Sequence, residues 1–317
     1  MRAYKSMKIL IIGGAGFIGS VLVKKLLSNN NEIIVIDKLS LGSLEYIDTS
    51  TVTFYKLDIN NIDSILEALS SHPNIDEVWH LAANSDIPAG VENIDVDLND
   101  TFMSTVSVLK IMKIIFCKKL YFASSSAVYG CHDTVLHEDL GPLLPISNYA
   151  AMKLASEAII SASLESFLDR ASIFRFSNVV GTPATHGVIL DFIRRLKDRP
   201  LQLDVLGNGL QQKPYIHVDD LVSAMLFVNS KSKSKLNYYN IGASDSTLVR
   251  DIAEQTVKRV APGAIITYQD SDRGWVGDVP KTHYSVEKLI KLGWESNNSS
   301  LDAVIRAIDE IASQEGF

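Results

Sequence analysis

At 317 residues the chain has room for one large α/β domain or two smaller ones, with ample core. Its 46% hydrophobic and 21% charged composition is that of an ordinary soluble globule, and its net charge of −7 argues against a nucleic-acid surface, which wants a basic field. No apolar run reaches the roughly 18 residues of a membrane span, residues 1–6 are too short and polar for a signal peptide (Met7 is an alternative start), and two cysteines, Cys117 and Cys131, give no disulfide framework and fit a reducing cytoplasm.

The first predicted element is a buried strand over the apolar, mostly β-branched residues 9–12. It breaks into Gly13, Gly14, Gly16 and Gly19, and residues 20–30 then carry helical spacing. A strand, a glycine turn and a helix start suit a dinucleotide pyrophosphate. Glycines let the backbone turn tightly beside the phosphates, and the helix N-terminus offers free N–H groups. The spacing Gly13-x-x-Gly16-x-x-Gly19 varies the usual G-x-G-x-x-G, and a tight turn with no ligand has the same glycines.

A second strand, residues 32–37, ends in Asp37 about twenty residues past the turn, where a carboxylate can accept from the adenosine ribose hydroxyls. An acid there also repels a 2′-phosphate, so NAD is expected over NADP. Lys38 beside it weakens that preference, and an Asp capping a strand-end turn looks alike. A third strand, residues 52–59, places Asp58 where it could meet the adenine amino group. Helical spacing covers residues 62–69. A fourth strand, residues 76–83, runs into small residues where backbone can lie close to a cofactor; His80 within it reads as structural. A helix is expected over about residues 99–116, and a fifth strand, residues 119–124, ends in Ser124-Ser125-Ser126. This rhythm implies a Rossmann-type, doubly wound parallel sheet with ligands at the carboxyl ends of its strands.

Tyr149-Ala-Ala-Met-Lys153 opens the next helix. Tyr and Lys four apart share one helical face, and an ammonium beside a phenol favours the phenolate, lowering its pKa from near 10. Such a Tyr can take a proton from an alcohol as hydride leaves the carbon. Ser125 could hold the same oxygen. Beyond Gly181 the strand–helix rhythm loosens. Residues 188–196 read as a helix, 201–205 as an edge strand, and His217 with Asp219 and Asp220 as the cap of a helix reaching Val228. Residues 236–242 read as a return to the main sheet.

The chain resembles the extended short-chain dehydrogenases/reductases of the NAD-dependent nucleotide-sugar epimerase/dehydratase family (UDP-glucose 4-epimerase-like). The matching stretches begin at Gly13, Asp37, Asp58, His80, Ser124, Tyr149, Arg175, Tyr215 and Arg273, so they span nearly the whole chain. The resemblance implies a catalytic trio of Ser125, Tyr149 and Lys153. It implies NAD contacts from Gly13, Gly16, Phe17, Ile18, Gly19, Asp37, Lys38, Asp58, Ile59, Leu81, Ala82, Ala83, Ser124, Tyr149 and Lys153. It also implies an NAD-binding domain over residues 1–178 with a return near 215–243, and a smaller, discontinuous nucleotide-sugar domain over 179–214 and 244–317. There the substrate is expected against Ser125, Ser126, Asn178, Val188, Lys213 and Arg273. Lys213, followed by Pro214, stands where the family usually has Arg; Lys can neutralise a phosphate but not clamp it in two places. A homodimer through a four-helix bundle is implied too, with apolar surface at Met103, Val106, Leu109 and residues 110–115, although such a stripe is as often internal core.

Family dehydratases carry Asp-Glu directly after the catalytic Ser or Thr, whereas here those positions are Ser126 and Ala127. Neither can serve as acid or base, so the expected reaction is redox at C4 of a nucleotide-diphosphate sugar, with 4-epimerisation through a transient 4-keto sugar. Residues 84–90 and 99–101 depart from the usual loop patterns, which keeps open a 4-dehydrogenase or ketoreductase that releases its keto sugar. A non-catalytic NAD-binding regulator is the remote alternative.

Overall fold

The computed structural model describes residues 6–272 and 281–317. Seven strands form one sheet: β1 (Lys8–Ile12), β2 (Glu32–Asp37), β3 (Thr53–Lys56), β4 (Glu77–His80), β5 (Lys119–Ser125), β6 (Arg170–Phe176) and β7 (Leu236–Ile241), in the order β7-β6-β5-β4-β1-β2-β3. The central strands are continuous apolar runs because both faces are covered. Ile9, Ile11, Ile34 and Ile36 are wholly buried. The pairs β3–β2, β2–β1, β1–β4 and β4–β5 are parallel, so each connection must cross over, as α1 (Phe17–Leu27) and α2 (Ile62–Leu69) do. From β1 the chain winds outward to β2 and β3, then returns beside β1 as β4. That reversal is a topological switch point, the place where open α/β sheets bind ligands. Register brings the strand ends level, since Ile12 pairs with both Ile36 and His80, and His80 with Phe122.

Between β4 and β5 the chain differs from the single helix predicted over 99–116. It forms α3 (Ile87–Glu92), α4 (Ile94–Asp97), a π-helical stretch (Leu98–Met103) and α5 (Ser104–Ile114). The reason is local. The Ser104 hydroxyl donates to Asp100 O (2.8 Å) and the Thr105 hydroxyl to Thr101 O (3.0 Å), so side chains compete for carbonyls in the helical ladder. Phe116 ends it with φ 58°. Leu109, Ile111 and Met112 lie in the core beneath the sheet with Leu10, Ile34 and Phe122, so these three are interior rather than surface for a partner. α6 (Asn148–Ser163) follows, with Ser147 as its cap.

The chain packs as two compact units. One comprises Met1–Val128, Leu143–Arg175 and Asn229–Tyr239; the other comprises Tyr129–Pro142, Phe176–Val228 and Asn240–Phe317. The second has its own core, where α7 (Val188–Asp198) packs through Ile189, Phe192 and Ile193 with Ile252, Val304 and Ile308. Its strands are short. Gln202–Val205 pairs with Ile265–Tyr268, and Asn178–Val180 with Tyr215–His217, both in parallel. His217 caps α8 (Val218–Lys231), accepting from Asp219 N–H (3.2 Å) while its other nitrogen meets Glu310 (3.1 Å). Among the described residues no helix is long and apolar enough to cross a membrane.

Candidate active site

Between β1 and α1 the glycines have steric work. Gly13 sits at φ 83°, and a Cβ there would lie 2.6 Å from Ala82 N. A Cβ on Gly19 would lie 2.1 Å from Gly13 O. Side chains at either position would push the turn off β4 or the helix off the turn. Gly16 precedes Phe17 and Ile18 at the start of α1, where no side chain caps the helix. The first N–H groups of α1 are therefore left for a ligand, at the positive end of its dipole. Asp37 ends β2 and holds the turn from beneath, accepting from Ala15 N (3.0 Å) and Leu39 N (2.8 Å).

The other expected cofactor residues border the same strand ends. Leu81 N and Ala82 N both donate to Ile12 O (2.9 and 3.0 Å), so residues 81–83 lie against the glycine turn. Asp58 accepts from Asn60 N (2.9 Å), and Ile59 next to it is buried. Lys38 reaches Asp100 at 2.6 Å and Asp58 at 3.8 Å. Its charge is thus paired with two carboxylates.

Ser147 accepts from Ala150 N (3.2 Å) and starts α6 so that Tyr149 falls in its first turn and Lys153 one turn on. The Lys153 ammonium donates to Ala123 O at 2.6 Å and stands 4.8 Å from the Phe122 ring and 5.8 Å from the Tyr149 ring. Desolvation drives Lys153 down to about 7, against the Glu157 and Asp97 carboxyls, which favour its charged form. The phenol differs from expectation. Burial pushes Tyr149 up to about 12, a hydrogen bond with Ser125 opposes this, and the Asp97 charge adds to it. The ammonium is committed to the Ala123 carbonyl, and desolvation outweighs the relief expected from it. Ser125 also accepts from Ala127 N (3.2 Å), fixing the turn that begins at Ser126.

Beneath this pair lies a network with no role in the sequence reading. Glu157, one turn past Lys153, receives Arg175 Nε (3.0 Å) and Nη2 (2.7 Å) and the Ser124 hydroxyl. All three residues are buried. A Glu repeating the Tyr149–Lys153 spacing on a buried face was the available signal. His80 is fully buried, meets Thr105 Oγ1 at 3.1 Å and is held down to about 3 by burial, with Lys153 reinforcing it.

In the second unit the backbone brings Asn178 beside Tyr215, and Asn178 N donates to Pro214 O (3.2 Å). Lys213, paired with Thr247, is thus a near neighbour of Asn178. Val188 opens α7 and packs on that unit's core. Arg273 lies outside the described residues.

Known proteins similar to this chain match it along nearly its whole length. A putative UDP-glucose 4-epimerase of Methanocaldococcus jannaschii is 28% identical over 307 residues, 95% of this chain and 97% of the relative. A crystal structure of a UDP-galactose 4-epimerase is 32% identical, with a TM-score of 0.86 over 97% of this chain and 99% of that one. The UDP-glucose 4-epimerase of Thermus thermophilus, solved in complex with NAD, is 26% identical, with a TM-score of 0.84 over 96% of this chain and 99% of that one. With residues 9–242 matching throughout, the chain belongs to the NAD dependent epimerase/dehydratase family.

Proposed function

We propose that the protein interconverts the C4 epimers of a nucleotide-diphosphate sugar through a transient 4-keto sugar. The observation that carries this is the Tyr149–Lys153 pair on α6, with a half-buried phenol bonded to Ser125 at the end of β5 and a buried ammonium behind it. The residues suit NAD: the turn is too tight for a Cβ at Gly13 or Gly19, α1 opens with uncapped amides, and Asp37 faces the turn as a carboxylate. Gly13, Gly16, Phe17, Ile18 and Gly19 would hold its pyrophosphate, Asp37 its ribose, Asp58 and Ile59 its adenine end, and residues 81–83 its backbone-facing side. When bound, NAD would supply the hydride acceptor, and in its reduced form the hydride donor, for C4.

Tyr149 takes the C4 hydroxyl proton and gives it back after the keto sugar has turned over. Ser125 holds the same oxygen. Lys153 carries positive charge to the phenol side of the site and favours the phenolate that burial disfavours; a bound oxidised cofactor would supply further positive charge. Ser126 and Ala127 offer no acid or base, so water is not expelled from C6. Residues 179–214 and 244–317 form the nucleotide-sugar domain in this reading, with Asn178 and Lys213 toward the pyrophosphate, Val188 on the wall, and Ser125 and Ser126 toward the sugar; the role of Arg273, outside the described residues, rests on the family resemblance alone. The protein works as a cytoplasmic homodimer paired through α5 and α6. Both thiols, Cys117 and Cys131, are free, and Met103, Val106, Leu154, Ala158 and Ile159 keep apolar surface outward.

The test incubates purified protein with UDP-, GDP-, CDP- and dTDP-hexoses, following C4 epimers by NMR and reduced cofactor by the NADH band. An epimer without lasting NADH supports the proposal. A keto product with trapped NADH replaces it with a 4-dehydrogenase, and no change with any sugar leaves a non-catalytic binder.

A further inference from the structure

Tyr149, Lys153 and Ser125 account for the proton transfer, yet another carboxyl is buried beside them. Asp97, the last residue of α4, is 0% exposed. Its Oδ1 accepts from the Asn84 amide at 2.8 Å, while its Oδ2 is buried with no partner. Surface is the ordinary place for Asp, and an oxygen without a donor forfeits its hydrogen bonds to water.

The fold is shaped around this group. Gly90 lies against Oδ2, and a Cβ there would stand 1.8 Å from it. The Gly90 carbonyl is held by Asn148 Nδ2 at 2.9 Å, next in chain to Tyr149. Asn84 also bonds the Asp86 carbonyl (2.8 Å) and takes Thr101 Oγ1 at its own N–H (3.2 Å). The carboxyl is clamped between α3, the π-helical stretch and the first turn of α6.

We propose that Asp97 is a positioning residue that sets a buried negative charge against the Tyr149–Lys153 pair and so fixes the pH at which Tyr149 accepts the substrate proton. The inference rests on the proton-transfer reading above. Burial raises the Asp97 carboxyl, Asp100 adds to that, and the Asn84 amide and Lys153 oppose it. When ionised, Asp97 favours charged Lys153 and opposes the phenolate. Other groups face the pair as well. Glu157 and His80 face Lys153, Ser125 faces Tyr149, Asp100 is paired with Lys38, and Glu92 and Asp95 are exposed.

Asp97→Asn removes the charge and keeps the shape. The phenolate absorbance of NAD-saturated protein is titrated with pH against Tyr149→Phe as blank. Asp95→Asn, an exposed carboxylate on the same short helix, is the control. The Tyr149 transition of Asp97→Asn is expected to fall by about one pH unit, the order of a unit charge acting through protein of effective dielectric about 20. The acid limb of the kcat–pH profile with UDP-galactose moves the same way, and Asp95→Asn moves neither. Asp97→Ala removes the same charge with a smaller side chain and shifts the transition likewise; it decides the matter if Asp97→Asn does not fold. An unmoved transition in a folded, NAD-binding variant overturns the proposal. The absorbance titration needs no turnover, so wild type that is inert toward every sugar nucleotide would sink the epimerase reading while the titration still judges Asp97.

Discussion

The two ends of the site in the first unit are made of opposite materials. The cofactor end is backbone and absence of side chain: Gly13 against Ala82, Gly19 against Gly13, open amides at α1 and one carboxylate spent on two backbone N–H groups. The reactive end is buried titratable groups, with Lys153, Glu157, Arg175, Asp97 and His80 each at most 4% exposed. Holding a dinucleotide in place requires shape, which does not titrate. Moving a proton requires groups whose protonated and ionised forms lie close in energy; burial shifts Lys153 and Asp97 toward that condition and Tyr149 away from it, so the phenol depends on the positive charge around it. The first end should therefore break when volume is added, and the second when charge is removed.

The largest effect should follow removal of a single oxygen at the reactive end. Tyr149→Phe is expected to cut kcat by about 10³-fold or more, the upper part of the range for general acid–base groups, while NAD titration by fluorescence gives an unchanged affinity. Activity near wild type would remove Tyr149 from its role. Next comes the charge beneath it. Glu157→Gln leaves Arg175 buried without its counter-ion, a change that costs about 3–5 kcal/mol, and urea unfolding should show that loss. Replacing both residues together by leucine should recover most of it. A double variant as unstable as Glu157→Gln would mean that the network does more than neutralise itself.

At the cofactor end the corresponding break is steric. Gly19→Ala places a Cβ 2.1 Å from a backbone carbonyl, which has no flexible end to retreat, so the cost should reach about 3 kcal/mol, the top of the usual overpacking range. NAD affinity should fall with it, because the turn and the start of α1 move apart. Stability and NAD affinity should both lose their value equally at pH 6 and pH 8, which would separate this break from those of the reactive end.

How far each end could be read in the sequence follows from the same contrast. The turn, Asp37 and the start of α6 are local: each rests on spacing within one strand–turn–helix or one helical turn, and Tyr149 and Lys153 share a face because four residues make about one turn. Glu157 meets Arg175 and Ser124 across sequence separations of 18 and 33 residues, and nothing in the local pattern of Arg175 points to its partner. Asp97 reads as a surface acid in an Asp-rich stretch until Gly90 and Asn84 close over it. The upward displacement of Tyr149 was unreadable for the same reason, since i, i+4 spacing reports proximity to Lys153 and says nothing of desolvation. In the second unit the strands are two to four residues long, too short for a period to register, so the sequence reading there is confined to the helices over 188–196 and up to Val228 and the Gln202–Val205 strand.

A pH experiment sharpens the contrast further. His80 is held down to about 3 in the fold against about 6.5 for the unfolded side chain. Its contribution to stability is whole above about pH 6.5 and is lost as pH falls toward 3, because the unfolded imidazole binds a proton that the folded one refuses. Between pH 7 and 5 this amounts to about 2 kcal/mol. His80→Gln, which keeps a hydrogen-bonding group toward Thr105 and cannot protonate, should lose that much less over the same interval in urea melts. Equal losses in both proteins would show that the acid sensitivity lies elsewhere.

The smallest expected effect tests the one charge at the cofactor end. Asp37→Asn keeps the size of the side chain, but its amide turns a donor toward either Ala15 N or Leu39 N, where the carboxylate accepted from both. One charge-assisted hydrogen bond is lost, worth about 1.5 kcal/mol at the lower end of the range for a charged acceptor, or about tenfold in Kd. Calorimetric titration should show NAD binding weakened by that factor. NADP should bind the variant better than it binds wild type, because the charge that repels a 2′-phosphate is gone while Lys38, paired with Asp100 and Asp58, is unchanged. If NAD weakens while NADP stays excluded, Asp37 serves the turn and not the ribose, and the cofactor end would then be pure shape with no charge in its selectivity at all.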